Sequence, residues 1–326
     1  DEIHRIQDWE AYVIDLSRNP NWKVVVTGSS SKLLRDEMAT GLRGKAVSSV
    51  LYPLSFVEFL AFKRVEIKAR STKARGEMRR AFDEYLKWGG YPGVVLANKY
   101  SREALLREYF DTMILRDIVE RHNPSKPAHC VELYSYLLSN MAKPHTLQSA
   151  YDYLKQRGHA TSRDAVRDYL KWAADAWLLF MVPIYSTSHK EEDRNYKKVY
   201  SIDWSLAIRN SAVWEGSYSR AFENMVFLHL IRRHARVRYC LTRAKRQELD
   251  FIVSGTDGKP EMSVQVCQDI SAADTLRREL EPLVAAAQYF GTKRNVIVTM
   301  NQEARMKEGG ITVQIVPAWK WLLEGK

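Results

Sequence analysis

Glycine and proline are scarce in this chain, at 15 and 10 of 326 residues, and only three cysteines occur. With 27% charged residues, that scarcity excludes low-complexity and disordered classes. Cys130, Cys240 and Cys267 are scattered, and no C-x-x-C pair exists. This excludes a disulfide framework and a cysteine-based zinc site, and fits a reducing, cytoplasmic setting. No apolar run approaches the length of a membrane span, and no signal-peptide pattern opens the chain. A phosphate-cradling loop, G-x-x-x-x-G-K-[ST], is missing from the whole sequence.

What is present is a chain 45% apolar, long enough to bury a full core and to form two to four domains. The formal net charge is +11 and the pI about 9.4, a balance that favours a polyanionic partner. Two windows account for the excess. Residues 63–80 hold eight Lys/Arg against Glu66 and Glu77, and residues 224–247 hold seven and no acid. A solvated face is the plainer reading of such windows and stands beside the nucleic-acid one.

The first sixty residues organise the rest. Asp1-Glu2 precedes a helix containing Trp9, then an apolar strand, Lys23-Val24-Val25-Val26-Thr27, which breaks into Gly28-Ser29-Ser30-Ser31. Gly41-Leu42-Arg43-Gly44-Lys45 and the run from Leu51 to Leu60 close the segment. It resembles an AAA+-type family of ATP-binding proteins, in which an ATPase module is followed by a winged helix and a PD-(D/E)XK nuclease-like domain. The resemblance implies that Asp1 and Glu2 end the Walker B strand, Asp1 on Mg²⁺ and Glu2 on the attacking water. It further implies Thr27 and Ser29 as nucleotide contacts and Arg43 as an arginine reaching the γ-phosphate. The family usually has Arg where this chain has Lys45. In such proteins a P-loop lies upstream of Walker B. A chain that begins without Met inside a motif is expected to be N-terminally truncated. ATP and Mg²⁺ then belong to the complete parent, and neither is expected to bind this chain tightly.

Downstream, residues 74–86 read as a helix stopped by Gly89-Gly90-Tyr91-Pro92-Gly93, and a second helix runs from Ser101 to about Arg121. The resemblance makes this pair a lid, with Arg116 a candidate lid arginine. Residues 131–141, 147–157 and a helix capped by Ser162 come next, the last with a stripe of Val166, Tyr169, Leu170, Ala173, Ala174 and Trp177. Strands over 177–185 and 196–202 complete the pattern of a winged helix. Its third helix offers Arg163, Arg167 and Lys171 to DNA. Asp164, Asp168 and Asp175 are interleaved with them and oppose phosphate contact, so domain packing is an equal reading.

The C-terminal order is helix, three strands, helix and strand, followed by a strand over 311–316 and a short helix. The family resemblance extends here and places the nuclease motif at Glu223, Asp250, Gln265 and Cys267. A hydrolytic nuclease needs carboxylates for Mg²⁺ and a lysine near the water. Glu223 and Asp250 supply two carboxylates, and Glu248 leaves the strand on the same face as Asp250. Gln265 is a neutral amide, and Cys267 can carry no positive charge. The expectation is therefore a degenerate site, flanked by Arg232, Arg233, Arg243 and Arg246 as nucleic-acid contacts.

The expected fold is an α/β multidomain chain: the remnant of an AAA+ P-loop sheet over 1–62, a helical lid over 63–125, a winged helix over 126–200 and a PD-(D/E)XK-like domain over 201–326. The expected role is a binding module of an ATP-dependent switch that acts on nucleic acid or on a partner protein, with no membrane involved. A metal-dependent nuclease using Glu223, Glu248 and Asp250 is one alternative. A scaffold that self-associates or binds a partner is the other.

Overall fold

A computed structural model describes residues 3, 6, 8–29, 46–67, 72–186, 197–210, 218–242 and 247–323. Its N-terminal part holds helix α1 (Trp9–Ser17), whose Trp9 and Val13 form a small cluster with Val24 and Val26. The expected strand over 23–27 is not formed among the described residues, although the Ile3 N–H donates to the Thr27 carbonyl at 3.1 Å. A strand persists only where a neighbour takes its backbone groups along its length, and one bond does not make a ladder.

Helix α2 (Phe56–Phe62) begins the main body with a reciprocal cap, Ser55 accepting from the Glu58 N–H and Glu58 accepting from the Ser55 N–H. Helices α3 (Thr72–Trp88) and α4 (Pro92–Leu96) are joined by the glycine turn. Helix α5 (Arg102–Thr112) runs on through a π-helical stretch, Met113–Val119, to a last turn at Glu120–His122. It ends, as expected, where Asn123 takes a left-handed conformation.

Helix α6 (Pro127–Ser139), strand β1 (Pro144–His145), helices α7 (Leu147–Gln156) and α8 (Arg163–Asp175), and strands β2 (Leu179–Pro183) and β3 (Lys197–Ser201) form the next unit. Its sheet is antiparallel in the order β1-β3-β2. Thr146 caps α7 and Ser162 caps α8 through their side-chain oxygens. Val166, Tyr169 and Ala173 of the expected stripe are buried.

Helix α9 (Trp204–Asn210) leads to helix α10 (Ser219–Ile231), strands β4 (Arg236–Leu241), β5 (Glu248–Ser254) and β6 (Pro260–Val266), and helix α11 (Ala273–Phe290). Strands β7 (Arg294–Thr299), β8 (Ala304–Glu308) and β9 (Ile311–Pro317) and helix α12 (Ala318–Trp321) finish the chain. The mixed sheet has the order β4-β5-β6-β7-β9-β8, parallel between β6, β7 and β9 and antiparallel elsewhere. Sequence reasoning missed β8, a short edge strand that is mostly exposed and offers only Ala304 and Met306 as apolar residues.

One continuous hydrophobic core joins these parts, from Leu54 and Phe56 through Leu137 and Val199 to Trp321. Polar anchors reinforce it. The Gly90 N–H donates to Asp203 Oδ2 at 2.7 Å, and the Trp204 indole donates to the Leu86 carbonyl at 2.8 Å. Gly89 has a positive φ of 74°, and a Cβ there would stand 2.0 Å from Asp203 Oδ1. The turn expected from its glycines is thus also a docking point. No helix among the described residues is long and apolar enough to cross a membrane.

Candidate functional site

The densest charge cluster is built from three elements. Alternate residues of β3 leave one face of the strand, so Lys198 and Tyr200 both point toward α10 and β5. Helix α10 contributes Glu223, and β5 contributes Glu248 and Asp250 from its own single face. Lys198 Nζ lies 2.8 Å from Glu223 Oε1, 2.7 Å from Glu248 Oε1 and 3.2 Å from Asp250 Oδ1. The ammonium donates hydrogen bonds to Glu223 and Asp250, and Glu248 adds a third carboxylate as an ion pair. The Lys198 side chain is fully buried and stands 5.9 Å from the centre of the Tyr239 ring.

The surroundings fix this arrangement. Tyr200 donates its hydroxyl to Glu223 Oε1 at 2.7 Å, and the Val266 N–H donates to Asp250 Oδ2 at 2.9 Å. Asn224 clamps the end of β3, accepting from the Ser201 N–H at 2.7 Å and donating to the Ser201 carbonyl at 3.0 Å. The Phe222-Glu223-Asn224 run thus gives one residue to the core, one to the charge cluster and one to the clamp.

Electrostatics follow from burial and proximity. Burial disfavours the Lys198 charge, but Glu223, Tyr200, Asp250 and Glu248 outweigh it and hold the ammonium well above the usual lysine range. Burial pushes Glu223 up to about 7, with Lys198 pulling it down and Asp250 pushing it further up.

Of the other nuclease-motif positions, the structure brings Gln265 beside the cluster and leaves Cys267 at its rim. Gln265 Oε1 accepts from the Asp250 N–H at 3.2 Å, and its Nε2 donates to Glu279 at 2.7 Å. The amide therefore supports Asp250 from behind. Cys267 lines a cavity of about 400 Å³ with Phe222, Arg278 and Glu279, and burial raises its thiol above the ordinary value. A thiol held in its neutral form is a poor nucleophile.

Sequence reasoning found no lysine for this cluster, and that needs correcting: the lysine comes from β3, in the preceding unit. Its signal was a lysine on the inward face of a strand, beside Tyr200. That signal acquires meaning only once the packing of β3 on α10 is known.

Mg²⁺ does not fit this arrangement, because Lys198 Nζ takes the point on which the carboxylate oxygens converge. Among the described residues, no group of three or more His, Cys, Asp or Glu is placed to hold a metal ion.

The nucleotide-site candidates are only partly visible. Asp1, Glu2 and Arg43 lie outside the described residues. Ser29 donates its hydroxyl to Asp117 at 3.1 Å, which ties the AAA-like segment to the helical stretch that continues α5. The Thr27 carbonyl accepts from the Ile3 N–H, and Arg116 is exposed.

The nucleic-acid candidates divide. Arg163 packs over the Tyr151 ring at 5.7 Å, Arg167 pairs with Asp164 one turn away, and Lys171 is exposed. Arg232 donates to the Pro53 carbonyl and lies over Tyr52 at 5.5 Å, while Arg233 packs on His229. Arg232 is therefore half-buried against the body, whereas Arg233 stays exposed. Arg243 and Arg246 lie outside the described residues.

Comparison with known proteins places this geometry in a family. An uncharacterized protein of Methanocaldococcus jannaschii is 32% identical over 336 aligned residues, spanning 99% of this chain and 74% of that relative. The chain belongs to its family. An uncharacterized protein of Haemophilus influenzae is 29% identical over 257 residues, spanning 79% of this chain and 62% of that protein. Residues 1–60 match the AAA domain, a nucleotide-binding type of module, and residues 79–213 match a domain of unknown function. The Lys198 strand belongs to that second region, whereas Glu223, Glu248 and Asp250 lie beyond it. No solved structure matches the chain.

Proposed function

We propose that the family works as a nucleotide-dependent switch and that residues 54–323 are its rigid, non-cleaving binding body. The observation that carries this reading is Lys198 at the centre of the carboxylate cluster. On this reading α6 to β3 are a winged helix, and α10 to α12 are a PD-(D/E)XK-like fold kept for its shape. The AAA domain supplies the nucleotide chemistry, with ATP and Mg²⁺ as its cofactors in the complete protein. Ser29 on Asp117 offers a route by which that segment biases the body. The three free cysteines favour a reducing, cytoplasmic compartment.

The ligand this body fits is a nucleic-acid backbone. Net charge favours it, and Arg163, Arg167 and Lys171 lie together on α8. The Arg167–Asp164 pair is solvent-exposed, so it holds the guanidinium weakly and yields to a phosphate. Fluorescence anisotropy with a short DNA duplex is expected to show binding that falls steeply with salt. Absence of binding even at low salt would sink the reading and leave the partner-protein scaffold.

A second reading rests on a specific observation: three carboxylates and a lysine do converge, as in hydrolytic metal sites. A nuclease built on Glu223, Glu248 and Asp250 would cut in Mg²⁺ or Mn²⁺ and lose activity in Asp250→Ala. No cutting by the wild type is expected.

A further inference from the structure

We propose that Lys198 is a built-in cation for the carboxylate site: it holds the position a divalent metal would take, closing the site to metal while locking the β1–β3 unit onto the six-stranded sheet. This deepens the non-cleaving reading and rests on it for the sheet alone, since duplex binding through α8 is measured independently of it.

Glu223, Glu248 and Asp250 each place an oxygen within 3.2 Å of one nitrogen. Without that ammonium, three carboxylates would face one another in a largely buried space, which is tolerated only if protons or another cation enter. The lysine does not come from the sheet that carries Glu248 and Asp250. It comes from the middle of β3, and Tyr200 and the Asn224 clamp on Ser201 hold that strand in register. The site is therefore complete only when the two units are docked. Lys198 is fully buried, so it cannot reach a substrate bound outside and acts as a positioning residue.

Geometry favours an ammonium over a small ion. The nitrogen–oxygen distances run from 2.7 to 3.2 Å. Magnesium takes oxygens at about 2.0–2.1 Å and calcium at about 2.3–2.6 Å. A cluster spaced for an ammonium must contract to hold either ion, and least for calcium. If Lys198 is removed, the emptied position should thus accept Ca²⁺ or Mn²⁺ more readily than Mg²⁺.

The test is a thermal melt of the full chain with and without Ca²⁺ or Mn²⁺, on the wild type, on Lys198→Met, and on Lys198→Met combined with Glu248→Gln and Asp250→Asn. The wild-type Tm is expected to stay put in metal. Lys198→Met should melt lower by about 5–10 °C, as leaving buried charges unpaired implies, and either ion should restore much of that loss. The neutralised triple variant should melt above Lys198→Met and ignore metal. A wild-type Tm that rises with metal, and stops rising in Glu248→Gln, would show that metal and lysine coexist and would overturn the proposal. So would a folded Lys198→Met that ignores both ions. Should Lys198→Met not fold in buffer, refolding with and without Mn²⁺ decides: recovery only with Mn²⁺ supports the proposal, and no recovery overturns it.

Discussion

The AAA-like segment and the carboxylate cluster treat their polar and apolar groups in opposite ways. Among the segment's described residues ahead of Leu54, Val25, Val47 and Leu51 are 74%, 96% and 98% exposed, and the small core is Trp9 and Val13 with a few neighbours. In the cluster, a full positive charge is buried with three carboxylates around it. The first region carries a family signature on a surface that packs little. The second carries charges that only a fixed tertiary arrangement can tolerate. Motif recognition therefore speaks clearest where the structure is least self-contained. Charge satisfaction speaks clearest where distant elements are packed together.

The contrast breaks most visibly at the buried end. Lys198→Met, the melt described above, should be the most damaging substitution in the charge cluster, because it strands three carboxylates. An alanine at an exposed residue of the segment such as Val47 should be nearly silent, within about 0.5 kcal/mol. If Lys198→Met melts like the wild type, the cluster is not what fixes the two units together.

Gly89→Ala is the next largest. The added methyl meets Asp203 Oδ1 at 2.0 Å, and the backbone is already left-handed with φ of 74°. Asp203 also accepts from the Gly90 N–H and from the Ser205 N–H and hydroxyl, so it cannot retreat without stranding donors. A loss of about 2–4 kcal/mol is expected in urea unfolding. A change below about 1 kcal/mol would mean that the turn moves freely.

Next comes the pH dependence of stability. Burial raises the folded-state pKa of Glu223 from 4.5 to about 7. The folded protein then binds this proton more tightly than the unfolded chain. The contribution from Glu223 is fully present below about pH 4.5 and is lost as pH rises through about 7. Glu223→Gln should remove that downward slope between pH 4.5 and 7, read by melts across the range. An unchanged slope would place its origin elsewhere.

How far the sequence foretold this follows from which interactions are local. The α8 stripe, the Ser162 cap and the break at Asn123 were legible, because each depends on residues within one or two turns. Glu248 and Asp250 were legible as a same-face pair for the same reason. Lys198 was not, since it meets Glu223 and Asp250 across 25 and 52 residues of sequence. Only the docking of β3 on α10 creates that contact. Strand β8 escaped because its register is set by β9 alone and only Met306 of its side chains reaches the core. The expected strand at 23–27 had the composition of a strand, but composition cannot supply a ladder partner.

The smallest expected effect sharpens the comparison from the solvent side. Arg167 and Asp164 form an exposed pair one turn apart on α8, with side chains 62% and 83% accessible. Pairs of this kind contribute about 0.3–0.5 kcal/mol at most, and salt screens them. Arg167→Ala should therefore leave the melt almost unmoved, in contrast to Lys198→Met. Its effect belongs to binding. If α8 tracks a phosphate backbone, removing one contact lowers the slope of log affinity against log salt by about one, uniformly across duplex sequences. Asp164→Ala should move affinity the other way, because it releases Arg167 and removes a carboxylate facing the phosphates. An anisotropy series at several salt concentrations reads both changes. If neither variant moves the slope, α8 is a packing helix and the nucleic-acid reading falls, whereas the Lys198 melt would stand untouched.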